Sequence, residues 1–276
     1  MALVIWSALL TAAMQQNPSP MVEHTRVHGR LKQFEPAGQR FELDVGTLWI
    51  PKARRPGRVT PLTIHFHGTP WIAEQAGASL NVAVLAVNIG VGSAVYAEPF
   101  RDPEAFRKLL GQAEEVSRRH FPVVTLSSWS AGYGAIRQIL RNPENWARID
   151  RVVTLDSIHA GYPGGKPGPE DSEIAPNDME PFEMLAREAV RGRKRFLITH
   201  TEVFPGTFAS TTETADYLIA KMGLKRKPVL KWGPVGTQQL SETRKGRFAV
   251  LGFAGNTAPD HLDQIHGLAT FWRMIR

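Results

Sequence analysis

Ser130 lies in the stretch LSSWSAGYGAI, residues Leu126 to Ile136, between an apolar run and a helix-like one. A serine hydroxyl attacks a carbonyl carbon only when a base takes its proton and its oxygen is held exposed. A tight turn from strand to helix gives that exposure, provided small neighbours let the chain pass. Ser128 stands two residues before Ser130, Ala131 follows it and Gly132 stands two after, a Ser-x-Ser-x-Gly pattern one substitution from Gly-x-Ser-x-Gly. A helix N-cap serine would give the same pentapeptide. The apolar run Val123 to Ser127 before it, and Tyr133 to Ile136 after it, favour the exposed turn. The chain has no cysteine, so thiolate nucleophiles, disulfides and thiolate metal sites are excluded. The close histidine pairs His65/His67 and His261/His266 have only Asp260 and Asp263 as near carboxylates, and no metal site is expected.

Such a serine must be positioned by a scaffold, and the 276 residues, 42% of them hydrophobic, suffice for one large α/β domain. Val27 to Pro51 reads as paired strands turning at Pro36 to Gly38, and Val59 to His67, Val82 to Asn88 and Val123 to Ser128 read as short buried strands. Helical spacing follows at Pro103 to His120 and at Gly132 to Leu140. Ile149 to Leu155, Arg195 to His200 and Phe248 to Phe253 continue as strands, Thr212 to Met222 and Asp260 to Ile275 as helices. This alternation predicts a mainly parallel central sheet flanked by helices on both faces. The Gly-, Pro- and acid-rich stretch of about 157–194, with a helix at Met179 to Val190, is too long for an ordinary connection and is expected to form a short lid insertion.

Elbow and strand order together resemble the α/β-hydrolase superfamily over about residues 40–276. The resemblance implies a triad in the chain order Ser, acid, His, and a His-Gly loop that helps to form the oxyanion hole. His65 to Trp71 (HFHGTPW) matches that loop, so the backbone N–H of Ala131, with that of Thr69 or its neighbour Gly68, would hold the oxyanion. His67 would brace the loop. The family's histidine follows the last strand, where His261 and His266 both stand. A helix beginning near Pro259 puts His261 in its first turn, on the face of Ile265, Leu268 and Trp272, which favours it over His266; His159 and His200 are the remaining candidates. Two acids fit the family order, Asp156 after one strand and Glu202 after the next. Asp156 is preferred because the sheet edge itself positions it, and Glu202 stays open.

Trp71, Trp129, Tyr133, Tyr162 and Phe204 fall at the same expected sheet edge and would line a substrate pocket. The net charge of +7 comes from clusters beside Pro or Gly without interleaved aromatics, which read as solvated loops rather than a nucleic-acid surface. Ala2 to Met14 is apolar, too short to span a bilayer and suited to a signal peptide; residues 1–20 are expected to be leader and linker, 21–276 the domain. Export to the periplasm or outside the cell is the preferred reading, a cytoplasmic protein the other. The expected activity is cofactor-free hydrolysis of a small-molecule or polymer ester, less readily an amide, through an acyl-enzyme. The alternatives are a lyase or haloperoxidase on the same fold, or a non-catalytic binding module.

Overall fold

Six short runs that are buried along nearly their whole length set the architecture. A computed structural model describes residues 29–52, 61–165 and 173–276. The expected leader lies outside these residues. The buried strands are β3 (Leu62–Phe66), β4 (Ala83–Val87), β5 (Val124–Trp129), β6 (Ile149–Leu155), β7 (Arg195–His200) and β10 (Phe248–Phe253). They pair in parallel in the order β4-β3-β5-β6-β7-β10. Antiparallel strands extend both edges: β1 (Gly38–Glu42) and β2 (Thr47–Pro51) beside β4, β9 (Gln238–Lys245) and β8 (Lys227–Trp232) beside β10.

Period-two alternation sends successive side chains to opposite faces of this sheet. Phe196, Ile198, Phe248 and Val250 point into one core, under α3 (Ala105–Ser117), α4 (Tyr133–Arg141), α5 (Pro176–Val190) and α6 (Thr211–Lys221). Leu197, Ala249, Leu251 and Phe253 point into the other, under α1 (Pro70–Leu80), α7 (Ala258–His266) and α8 (Leu268–Met274). The short α2 (Ser93–Ala97) packs on α4. A mainly parallel sheet covered on both faces is thus present as expected. Among the described residues no helix is long and apolar enough to cross a membrane.

Several elements differ from the expectation. The first hairpin turns at Leu43 to Gly46, where Leu43 N–H bonds the Gly46 carbonyl and Gly46 takes φ +91°, rather than at Pro36 to Gly38. The C-terminal helix breaks in two at Gly267, where a Cβ would lie 2.6 Å from Pro234 Cγ. Helix α1 escaped the periodicity because polar Glu74 and Gln75 sit on its buried side, Glu74 held by a two-pronged ion pair with Arg40 and Gln75 donating to the Lys32 carbonyl. Strand β8 is exposed along almost all its length and carries no burial pattern to read.

The expected lid is not confirmed, and residues 166–172 of that segment lie outside the described residues. Within 157–194, α5 is no cover: Met179, Phe182, Leu185, Ala186 and Ala189 are fully buried against the sheet. Phe182→Ala should therefore cost about 3–5 kcal/mol, as deletion of a buried aromatic ring does. Urea denaturation checks this; a loss below 1 kcal/mol would return α5 to a peripheral role.

Candidate active site

Strand β5 ends at Trp129 in extended conformation (φ −122°, ψ 146°), and the next residue, Ser130, turns to φ +48° before a 3₁₀ turn leads into α4. Positive φ at a non-glycine residue costs about 1–3 kcal/mol and persists only where the surroundings impose it. Here the backbone on both sides does so. A Cβ on Gly132 would stand 2.1 Å from the Phe66 carbonyl oxygen of β3, and one on Gly134 2.1 Å from the Ser93 carbonyl oxygen of α2. Only glycine lets the turn press this closely on its neighbours. A third restraint comes from side chains. The Ser157 hydroxyl donates to the Ser130 carbonyl at 2.7 Å, so its oxygen takes the hydrogen of buried Ser128 across 2.7 Å.

Asp156 follows β6 at φ +44°, 1% exposed. Its carboxylate accepts from the Thr201 N–H (2.9 Å), from the Thr201 and Thr211 hydroxyls, and from His261 Nδ1 (2.7 Å). Burial alone would raise this carboxyl; the His261 hydrogen bond and charge, with the two threonine hydroxyls, outweigh it and hold the group down to about 2. An ionised carboxylate can only accept, so Nδ1 of His261 carries the hydrogen and Nε2 of the neutral ring is left with its lone pair. His261 sits in the first turn of α7, whose start is fixed by reciprocal bonds between Thr257 and Asp260. Its carbonyl accepts from Trp129 Nε1 (2.9 Å), and its ring stacks on the Trp129 indole with centroids 4.7 Å apart. His67 also stacks on Trp129, at 5.2 Å and 9°, and its Nδ1 meets the Tyr96 hydroxyl at 2.8 Å.

A strand-to-helix elbow beside a mainly parallel sheet, with an acid after β6 and a histidine after β10, decides the fold. The chain has the α/β-hydrolase fold. No family profile matches the sequence, and no curated protein matches it. Among solved structures it resembles an S-formylglutathione hydrolase from Agrobacterium tumefaciens, at 10% identity, 90% of this chain and 98% of that one, and a TM-score of 0.48. It also resembles carboxyl esterase 2 from Tuber melanosporum (14% identity, 98% of each chain, TM-score 0.46) and the carboxylesterase CesB from Bacillus subtilis (12%, 87% and 92%, 0.43).

Two cavities flank the elbow, sharing His67 and Val91. One, about 490 Å³, is lined by Gly68, Thr69, Trp71, Trp129, Leu262 and His266 among others. The second, about 540 Å³, is lined by Ser130, Ala131, Tyr133, Arg137, His159 and Phe208 among others. Thr69 is the N-cap of α1 and Ala131 lies in the turn that opens α4, positions whose N–H groups a helix leaves without internal partners. The oxyanion candidates thus stand on both sides of the shared wall.

The other sequence candidates lie elsewhere. Glu202 does not reach a histidine: its N–H bonds the Gly255 carbonyl and its carboxylate accepts from the Gly255 N–H, tying down the loop before α7. His266 Nδ1 accepts from the Leu31 N–H and its ring meets Trp71 edge-on; it lines the first cavity but does not meet Asp156. His200 is buried among Thr212 and Arg226. Of the expected pocket aromatics, Tyr162 is buried with its hydroxyl on Glu213 and Phe204 is 62% exposed, and neither is among the lining residues of these two cavities. His159, Arg137 and Phe208 were missed as lining residues. Only His159 gave any signal, three residues after Asp156 on the same loop.

Two consequences can be measured. Gly132→Ala should destabilise the fold by about 1–3 kcal/mol or more, because the intruding methyl meets backbone rather than a movable side chain. Asp156 titrates lower folded than the ~3.9 of an unfolded aspartate. Its ionised form therefore adds stability that is fully present above about pH 4 and lost as pH falls toward the folded value of about 2. Asp156→Asn should flatten that limb of a stability–pH profile; an unchanged limb would mean that other carboxylates produce it.

Proposed function

We propose that the protein is a serine hydrolase that cleaves carboxylic esters through an acyl-enzyme intermediate. The observation that supports this reading is the buried Asp156–His261 pair at 2.7 Å, whose imidazole stacks on Trp129, the residue before a serine held at a strained turn. In this reading His261 Nε2 takes the proton of Ser130 as its Oγ adds to the ester carbon. The N–H groups of Ala131 and of Thr69 or Gly68 receive the negative charge that moves onto the carbonyl oxygen. The tetrahedral adduct collapses, His261 returns the proton to the departing alcohol oxygen, and the acyl group stays on Ser130. Water then attacks the acyl-enzyme with His261 again as base, releasing the acid and restoring the serine.

Asp156 stays ionised throughout and stabilises the imidazolium formed in each step. Trp129 supports the same ring from below by stacking and holds the His261 backbone through its indole N–H. Amides pass through the same intermediates with a poorer leaving group, so esters are the expected class.

A fluorophosphonate should label the protein at Ser130 and not at Ser128, whose hydroxyl is buried and committed to Ser157. Ser130→Ala should lower ester turnover by roughly 10⁴ to 10⁶ with the fold intact, and His261→Ala in the same background should add little, since the members act as a unit. Asp156→Asn should cost on the order of 10⁴, and Glu202→Gln far less. Mass spectrometry of the labelled peptide and steady-state rates decide the matter. Label at another residue, or a fully active Ser130→Ala variant, would leave the elbow serine a turn residue and favour a binding protein.

A further inference from the structure

The cavity beside Ser130 is not uniformly apolar, and most of its polar atoms are already taken. The Arg137 guanidinium donates through Nη1 to Asp178 (3.1 Å) and through Nη2 to the His159 carbonyl, and lies over the Tyr133 ring at 4.9 Å. Its Nε is closed off from solvent. The Tyr133 hydroxyl donates to Ser93 Oγ at 3.1 Å, and the Asp178 carboxylate also accepts from the Gly161 N–H. The charges of Arg137 and Asp178 cancel, so the wall does not select an ion.

His159 stands apart in this wall. Its Nδ1 lies 2.9 Å from the Ala209 carbonyl, which can only accept, so the hydrogen of the neutral ring is on Nδ1 and Nε2 is an acceptor. Burial pushes the ring below the ordinary imidazole value, and the neutral form therefore holds at neutral pH. The ring is clamped between Phe208, edge-on at 4.9 Å, and Tyr133 at 5.6 Å, while the Ala160–Ala209 bridge fixes the backbone on either side. Among the described residues nothing donates to Nε2, and His159 lines the Ser130 cavity. A rigid neutral acceptor in the wall of a reaction cavity calls for a donor on the ligand.

The side of the ester that meets it follows from the reaction. His261 must reach the leaving oxygen to protonate it, and Leu262 and His266 of the same helix line the other cavity. The alcohol part thus belongs there, among Trp71 and Trp129, and the acyl part in the Ser130 cavity with His159. We propose that His159 is a specificity-determining residue whose Nε2 accepts a hydrogen bond from a hydroxyl on the acyl chain, making hydroxyacyl esters the preferred substrates. This rests on the serine-hydrolase reading above.

The test compares p-nitrophenyl butanoate with its 2-hydroxy and 3-hydroxy analogues, and with a butanoate of a hydroxylated alcohol. For the unaltered protein, kcat/KM on at least one hydroxybutanoate should exceed that on butanoate by about tenfold, the effect of one well-placed hydrogen bond. His159→Phe, which keeps an aromatic ring but no acceptor, should bring that ratio to about one, and His159→Gln, whose amide oxygen accepts, should restore part of it. Butanoate turned over as fast as both hydroxy analogues would overturn the proposal. So would a ratio that His159→Phe leaves unchanged, or a preference seen only with the hydroxylated alcohol. In each of these cases fluorophosphonate labelling of Ser130 and butanoate turnover would leave the serine-hydrolase reading standing; loss of both would overturn the two together.

Discussion

The Asp156 carboxylate is the constraint on which the site depends. Its two oxygens take four hydrogen bonds, from the Thr201 N–H and hydroxyl after β7, the Thr211 hydroxyl at the start of α6, and His261 Nδ1 on α7. Four is about the number of lone-pair positions a carboxylate offers, so the group is saturated while ionised and would lose partners on protonation. One buried charge thereby ties the ends of two neighbouring strands to helices on opposite faces of the sheet. A buried carboxylate missing one of these partners would carry a penalty of several kcal/mol, which makes the cluster cooperative rather than a sum of separate bonds.

The elbow is held in a complementary way, by close approach rather than by charge. Gly132 against β3 and Gly134 against α2 leave no room for a relaxed alternative at Ser130. Trp129 joins the two systems: its backbone ends β5, its indole N–H bonds the His261 carbonyl, and its ring stacks on both His261 and His67. The indole fixes the spacing between the elbow, the His-Gly loop and α7. Flat aromatic faces suit this role because they restrain a ring's tilt while adding no charge of their own.

Fold and site were legible to different depths. Ile149–Leu155, Arg195–His200 and Phe248–Phe253 occur with the bounds expected from sequence, because strands buried on both faces carry mostly apolar runs with few polar interruptions. Helix α1 and strand β8 were unreadable for opposite reasons: Glu74 and Gln75 are polar yet buried, whereas β8 has scarcely any buried side. At the site, the sequence offers two acids and two histidines after the right strands, and local position favours Asp156 and His261 without excluding Glu202 and His266. Selection comes from adjacency across the sheet, where Asp156 lies against His261 while Glu202 turns to Gly255. Tyr162 and Phe204 show the same limit, since a loop's place in the chain does not say which way its side chains face.

Ser128 stands where a Gly-x-Ser-x-Gly pattern has its first glycine, and its hydroxyl is joined through Ser157 to the carbonyl of Ser130. The two serines, 29 residues apart, therefore make a single hydrogen-bonded unit. A chain that drifts to glycine at 128 leaves Ser157 short of a donor, and one that drifts to alanine at 157 leaves a buried hydroxyl at 128 with nowhere to go. Either single step is uphill, and only the pair of changes together returns to level ground. Variation at these positions should move in tandem, so that an elbow of this kind records its history in two places at once.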